Sequence, residues 1–589
     1  MVNKIYKKNM KLIKDINPYL YDEINRIELR TVKTSITRNH SKNIIKNNKG
    51  IEFIIHSQYN PEYQAQFIAQ NAVKDNPDII FLFGLGLGYE LKKMIKLNNR
   101  VRYFVVEPDR EIFKILLQNF DINFLFSKIN IHFILGKRAE DIGDFYENVV
   151  GCEKSIKIKF VILPSYKNIY DKLIQEILLS IKEKMNIFRV NVATLTVSHR
   201  QWFQNYIGNL KYLNLMCPVT KLKESFKGKS AILVSAGPSL NYNIDMIKRL
   251  QGKVLIATAG SGISILESKG IKADIISMID GWEGESKLIE NIRINKNTAL
   301  FYSSMLYYKI VDKIQGPKFL LNVNKMDEKI YDVYGEAPFN LFSGPSVANS
   351  LAYNLSELGC DPIIFLGQDL CYSSGKNYAE GATYEKDMSG ELNEQGYIKM
   401  KNKNNEDVYT TSPFLAMKSS MEFCVKMHPH IEYLNGTLEG LSIAGTKDID
   451  FNKYAEYNFI DKCGVQIKDI YNKSINDEDV MNRLNSMKED LENENMELID
   501  LCKKAIQFIE SEIDEKKIYK YVSDIQKQLD RVVLYRDIMK PELSNLDYIY
   551  KNKNYIEKSK QELAYILDKC LIMDNAFTYI VKGGSKVEV

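Results

Sequence analysis

Residues 229–285, which open KSAILVSAGPSLNYNIDMIKRL, constrain the fold of this chain more than any other stretch. Residues 231–235 read as a short buried strand and Ala236-Gly237-Pro238-Ser239 as a tight turn. From Leu240 a helix is expected, with Leu240, Ile244, Ile247 and Leu250 on one face. Strand, turn and helix in that order predict a unit of a parallel α/β sheet. Glycine lets a ligand approach the backbone, Pro238 stiffens the turn, and Ser239 can cap the helix. The unpaired N–H groups of such a helix start attract phosphate.

The alternation then repeats. Strands are expected over 253–257, 274–279, 298–302, 318–323 and 362–366, with Gly270 at a helix C-terminus. A second turn, Ser343-Gly344-Pro345-Ser346, precedes a helix carrying Val347, Leu351 and Leu355 and closed by Gly359. Ligands of open parallel sheets bind outside the carboxyl ends of the strands. Ser235, Thr258, Asp280, Gln368 and Asp369 all fall at such ends, which makes that edge the candidate active site.

A related pattern occurs earlier, in DIIFLFGLGLGYELKKMIKLNNRVRYFVVEPDR. A buried strand over 79–83 leads into Gly84, Gly86 and Gly88, and a second strand ends at Glu107, 19 residues beyond Gly88. That spacing suits a nucleotide-binding unit with the carboxylate on a ribose, and it resembles the start of an S-adenosylmethionine methyltransferase. Leu82-Phe83 stands where such methyltransferases usually carry an acid. The glycines serve equally well to let a helix pack closely in a purely structural domain, and the residues leave both readings open. His56 reads as a hydrogen-bonded structural side chain.

At 589 residues the chain exceeds one core, and roughly 150 residues per domain predicts three or four. The expected divisions are an N-terminal domain with a Rossmann-like unit over 1–165, a helical connector over 166–222, a central α/β domain over 223–450 and a helical domain over 451–589. Residues 218–228 read as the linker into the central domain. His199, beside Arg200 and Trp202, reads as a packing residue of the connector. The net charge of +5 is the remainder of 80 basic against 75 acidic side chains, so charge gives no argument for nucleic acid or a membrane. No run approaches the roughly 20 apolar residues of a membrane span, and the N-terminus lacks a secretory pattern. The eight cysteines, Cys152, Cys217, Cys360, Cys371, Cys424, Cys463, Cys502 and Cys570, form no CxxC pair and sit by no histidine cluster. They read as reduced core residues of a cytoplasmic protein.

SAGPSLNYNIDMIK, GIKADIISMID, SGPSVANSLAYNLSELGCDPIIFLGQDLCYSSG and YLNGTLEGLSIAGT resemble the central region of the motility-associated factor (Maf) flagellin glycosyltransferases. That region contains the domain described as similar to a 6-hydroxymethylpterin diphosphokinase. IIHSQYNPEYQAQ and LFGLGLGYELKKM are similar to the family's N-terminal region, so the resemblance covers most of residues 50–450. It implies transfer of a nonulosonic acid, pseudaminic or legionaminic, from its CMP-activated form to serine or threonine hydroxyls of flagellin. It also implies a fold similar to that of bacterial sialyltransferases, with Gly237, Pro238, Ser239 and Leu240 as the nucleotide loop. Ser235, Asn241, Thr258, Ser343, Gly344, Ser346 and Gln368 complete the expected donor site.

The chemistry asks for stabilisation of a departing phosphate and removal of the acceptor proton. Helix starts at Ser239 and Ser346 could meet the first need without a metal. Asp280 or Asp369 could act as base if burial raised its pKa, and Tyr372 and Tyr378 could bond the leaving phosphate. Sialyltransferases of similar fold often use a histidine base, and none stands between Gly228 and Val425; His428 and His430 lie just beyond and read as structural. No tightly bound cofactor is expected. Two other readings stand beside this one: an ATP-dependent pterin diphosphokinase, and a non-catalytic flagellar assembly factor. Residues 371–413 read as a long loop, with a hairpin around Lys403-Asn404-Asn405-Glu406, that either recognises the acceptor or simply decorates the surface. Beyond Lys447 amphipathic helices are expected through Leu484, Leu491 and Leu498, through Ile518, Val522 and Ile525, and through Leu563, Ile566 and Cys570. They pack on their own chain or offer flagellin a docking face.

Overall fold

The computed structural model describes residues 2–126, 130–150, 157–339, 344–388, 396–459, 467–540, 543 and 555–581. The chain divides into two compact units, residues 1–194 and 195–589. The division falls inside a helical run, Pro164–Asn209, which kinks at Tyr170 and where the sequence shows helical periodicity and few turn formers.

In the first unit β1 (Val32–Ile36), β2 (Lys42–Asn48) and β3 (Ile51–Ile54) form an antiparallel sheet. β4 (Ile79–Phe83), β5 (Arg102–Glu107), β6 (Ile131–Leu135) and β7 (Ile158–Ile162) form a parallel sheet of order β6-β5-β4-β7. Every residue of β4 is buried, as a continuous apolar run in a doubly covered parallel strand requires.

The second unit is built on nine parallel strands in the order β18-β17-β14-β9-β10-β11-β12-β13-β8. These are β8 (Cys217–Pro218), β9 (Ala231–Val234), β10 (Leu255–Ala259), β11 (Ile275–Met278), β12 (Ala299–Tyr302), β13 (Lys318–Leu320), β14 (Ile363–Leu366), β17 (Tyr433–Asn435) and β18 (Lys447–Asp448). Successive side chains of a strand point to opposite faces, and here each face has its own core. Ile232, Val234, Ile256, Ile276 and Ile364 enter one cluster, whereas Ala231, Leu233, Leu255, Ile275 and Ile363 enter the other. From β9 the chain runs outward through β10, β11, β12 and β13, then returns to place β14 on the other side of β9. The strand order therefore reverses between β9 and β14, the position where ligands of such sheets bind.

Two expectations need correction. Residues 217–228 are not a linker: β8 pairs with β13, and Val219, Leu222 and Phe226 are buried in the core, because these apolar side chains outweigh the turn formers around them. The element after the Gly-Pro-Ser turn is a 3-10 helix, Pro238–Tyr242, followed by a short α-helix, Ile244–Arg249; the two meet at Asn243, whose side chain caps neither and donates instead to Gly436 O. The hairpin is found as expected, β15 (Ile398–Lys401) against β16 (Asp407–Thr410). The C-terminal helices Glu478–Ser511, Glu515–Leu529 and Tyr555–Val581 bury Leu498, Ile525 and Ile566 in a cluster that also holds Phe203, Tyr206, Met305 and Met326. They pack on their own chain.

Candidate functional site

The glycine loop of the first unit is filled by the protein itself. Glu107 is fully buried and accepts from the backbone N–H groups of Leu85 (3.0 Å) and Gly86 (3.1 Å), from the Tyr166 hydroxyl (2.6 Å) and from Asp109 N (2.9 Å). His56 Nε2 accepts from Leu87 N at 2.9 Å, and its Nδ1 stands 3.3 Å from Glu90. A Cβ on Gly84 would stand 2.7 Å from the Tyr166 ring, one on Gly86 2.4 Å from His56 Nε2, and one on Gly88 2.8 Å from Phe124. The amides that would hold a pyrophosphate, and the carboxylate that would hold a ribose, are spent on internal bonds. Of the two readings of this unit, the structural one fits these contacts.

Burial pushes the Glu107 carboxyl up to about 7, against donated hydrogen bonds that pull it down. Below its ordinary value of 4.5 the acid is neutral whether the chain is folded or not. As pH rises from about 4.5 to about 7 the unfolded chain gives up this proton first, so Glu107 lowers stability across that window. Hydrogen exchange at pH 5 and pH 8, corrected for intrinsic rates, is expected to show weaker protection of the first unit at the higher pH. Glu107→Gln is expected to reduce that difference.

In the second unit the ends of β9 and β14 are clamped together. Ser235 Oγ donates to Gln368 Oε1 at 2.5 Å, and Gly237 N donates to Gly367 O at 2.8 Å. Ser239 donates twice to Asp369, from its N–H at 3.0 Å and from its hydroxyl at 2.5 Å. A Cβ on Gly237 would stand 2.5 Å from both Asp369 Oδ1 and Gly367 O, so only glycine allows this approach. Gln368 N donates to Thr437 Oγ1 at 3.1 Å, which ties the end of β17 into the same brace. Burial raises the Asp369 carboxyl and the Ser239 bonds lower it. Gly237, Pro238, Ser239 and Leu240 thus shape a rigid wall, with Pro238, Ser239 and Leu240 buried, and Asp369 acts within it as a cap.

Ser235 and Gly237 are half-buried and Asn241 is exposed on the rim, where its Oδ1 accepts from Glu380 N at 3.2 Å. Thr258 is buried and donates its hydroxyl to Val234 O at 2.9 Å, a bond that fixes β10 to β9. Ala379 N donates to Ala236 O at 2.8 Å and so brings Tyr378 over the turn after β9. Tyr372 packs against the rings of Tyr397 and Phe414 beside the hairpin, one residue before Ser373, whose side chain bonds Asp369. Gly344 and Ser346 begin the helix Val347–Glu357, where Ser346 Oγ accepts from Ala348 N at 3.2 Å; Ser343 lies outside the described residues. His428 is held between Cys424 O and Glu357, both at 3.0 Å.

The end of β11 differs in kind. Asp280 is exposed, and desolvation by the surrounding protein raises its carboxyl. Half-buried Glu285 follows on the next turn, and burial, then the charge of Asp280, pushes it up to about 7. No hydrogen bond from a described residue reaches either carboxylate. Other buried or half-buried acids of this unit are satisfied: Asp327, in the first turn of the helix Lys325–Tyr334, accepts from Ser303, Ser304 N, Val323 N and Asn324, and Asp274, just before β11, from Ile256 N.

The long helix covers this corner. Asn205 Nδ2 donates to Gly281 O at 2.8 Å and Met305 O at 3.0 Å, and a Cβ on Gly281 would meet Trp202 at 2.5 Å. Tyr384 donates its hydroxyl to Gly284 O at 3.1 Å, and Tyr307 to Glu283 at 3.0 Å. Sequence reasoning singled out Asp280 but missed Glu285, Tyr384 and Asn205. A signal for Glu285 was present in Gly281-Trp282-Glu283-Gly284-Glu285, a glycine-containing acidic turn directly after a strand.

Parallel sheets layered with helices, and a helical C-terminal region, define an α/β protein whose polar site lies at the carboxyl edge of its larger sheet. Residues 51–156 match the family model of the glycosyltransferase Maf N-terminal domain. Residues 204–375 match the model described as 6-hydroxymethylpterin diphosphokinase MptE-like. The fold is similar to that of a Maf glycosyltransferase from Magnetospirillum magneticum AMB-1, with a TM-score of 0.65 over 100% of this chain and 98% of that one, at 12% identity. No curated protein matches the chain. The likeness to the Maf glycosyltransferases drawn from the sequence therefore holds, in the N-terminal segment and in the fold, and the expected diphosphokinase-like domain is matched in the central region. No helix among the described residues is long and apolar enough to cross a membrane.

Proposed function

We propose that this chain transfers a nonulosonic acid of the pseudaminic or legionaminic type from its CMP-activated form to serine or threonine hydroxyls of flagellin. The reaction takes place in the cytoplasm, serves flagellar assembly and motility, and needs neither a metal nor a tightly bound cofactor. The observation that supports this most is the division of labour at the carboxyl edge of the sheet. A braced wall at β9 and β14 shares the carboxyl edge with the end of β11, whose following carboxylates receive no hydrogen bond from the described residues.

In this reading Ser235, Gln368 and Asn241 face the nucleotide, Tyr378 closes over it, and Gly344 and Ser346 present the start of an 11-residue helix to negative charge. Tyr372 supports the neighbouring hairpin. Gly237, Pro238, Ser239, Leu240, Thr258 and Asp369 hold the wall in shape. The acceptor proton goes to the carboxylates beyond β11, because both oxygens of Asp369 already accept from Ser239.

The match of residues 204–375 to the diphosphokinase-like model carries the second reading, an ATP-dependent transfer. Calorimetry with CMP, ATP and S-adenosylmethionine separates the two. The expected result is binding of CMP alone, weakened at least tenfold by Asn241→Trp, a change at an exposed rim position. ATP binding in place of CMP favours the diphosphokinase, binding of S-adenosylmethionine reopens the first unit, and binding of none leaves an assembly factor without catalysis.

A further inference from the structure

Three acids stand around the carboxyl edge of the larger sheet, and two of them are held in place by the protein. Asp369, just beyond β14, caps Ser239, and Asp327, in the first turn of the helix Lys325–Tyr334, gathers Ser303, Ser304 and Asn324. Asp280 is the third, and Glu285 follows it after the turn Gly281-Trp282-Glu283-Gly284. That turn is fixed from outside by Asn205 on Gly281 O and by Tyr384 on Gly284 O. This firmly held turn at the carboxyl edge of the sheet carries two carboxylates that no described donor reaches, and the charge of Asp280 acts on Glu285.

Resting on the glycosyltransferase reading above, we infer that Glu285 is the base that takes the acceptor proton, and that Asp280 is a positioning residue whose charge tunes it. As the nonulosonate is transferred, the acceptor O–H bond breaks and its proton passes to a Glu285 oxygen. The freed lone pair forms the bond to the anomeric carbon, and the bond from that carbon to the phosphate breaks, with its electrons leaving on CMP. A carboxylate at its ordinary value is a weak base for an alcohol, and one titrating near the working pH is better matched to the task. Burial and Asp280 give Glu285 that property, pushing it up to about 7, whereas Asp280 is raised by burial alone. The other groups facing this corner are Tyr384, whose own titration is raised by burial and by Glu285, and on the same turn Glu283, bonded by Tyr307, with Lys287 beyond.

The test measures kcat/KM against pH for the full chain, with CMP-activated pseudaminic acid as donor and flagellin as acceptor, and CMP binding by calorimetry on every variant. Wild type is expected to show an acid limb near neutral pH. Glu285→Gln should lower transfer by about 100-fold or more while CMP still binds, and Glu285→Asp should restore part of it. Asp280→Asn should keep measurable transfer with its limb moved to lower pH. The inference is overturned if Glu285→Gln binds CMP and transfers at the wild-type rate. It is overturned equally if the roles are exchanged, with Asp280→Asn inactive and Glu285→Gln merely shifting the limb. A wild-type chain that does not bind CMP removes the reaction itself, and the role of Glu285 with it.

Discussion

Asp369→Ala is expected to destabilise the second unit by about 4 kcal/mol, because two buried donors, the N–H and the hydroxyl of Ser239, lose their acceptor at about 1–3 kcal/mol each. Ser239→Ala deletes one of those donors and leaves the N–H bonded, so its cost should be only about 1 kcal/mol. Both tryptophans of the chain, Trp202 and Trp282, lie in the second unit. Chemical denaturation followed by tryptophan fluorescence therefore reads the midpoint of that unit. The order Asp369→Ala far below Ser239→Ala, with Ser239→Ala close to wild type, is the signature of a brace. If Asp369→Ala instead keeps the wild-type midpoint, the clamp between β9 and β14 is not what holds the wall.

The second large effect is expected in the first unit. Gly86 has φ of +55°, and a Cβ there would stand 2.4 Å from Nε2 and 2.7 Å from Cε1 of His56. His56 cannot swing away, since it is buried and holds Leu87 N. Gly86→Ala should cost about 3 kcal/mol, from about 1–2 kcal/mol of left-handed backbone strain and the overpacking of a filled site. Gly50 gives the control: its φ is +88° but nothing lies within 4 Å of an added Cβ, so Gly50→Ala carries the backbone strain alone. Hydrogen exchange of the first unit should rank Gly86→Ala well below Gly50→Ala. Equal protection in the two variants would mean that the glycine loop has room, and a ligand there would have to be considered again.

Continuous apolar runs made the parallel strands legible. The run at β4 was placed over the residues observed, and those at β9, β10, β11 and β14 within about two residues. Such runs are visible because a strand covered on both faces must be apolar at every position. The two edge strands, β8 and β18, were missed, being two residues long, too short for any periodicity. The hairpin and the tail helices were legible from turn residues and from spacings of three and four.

For the site, the sequence by itself determined which residues stand at strand ends. It follows from chain order and strand length that Ser235, Asp280, Gln368 and Asp369 share the carboxyl edge of one sheet. Only the tertiary structure decided how those polar groups are used. Glu107 and Asp369 look in sequence like Asp280, each an acid at the end of a strand, yet the first two accept bonds from loops folded back on them and Asp280 does not. Whether a carboxylate is satisfied depends on donors contributed by segments distant along the chain, such as Tyr166 to Glu107, and strand periodicity carries no record of those partners.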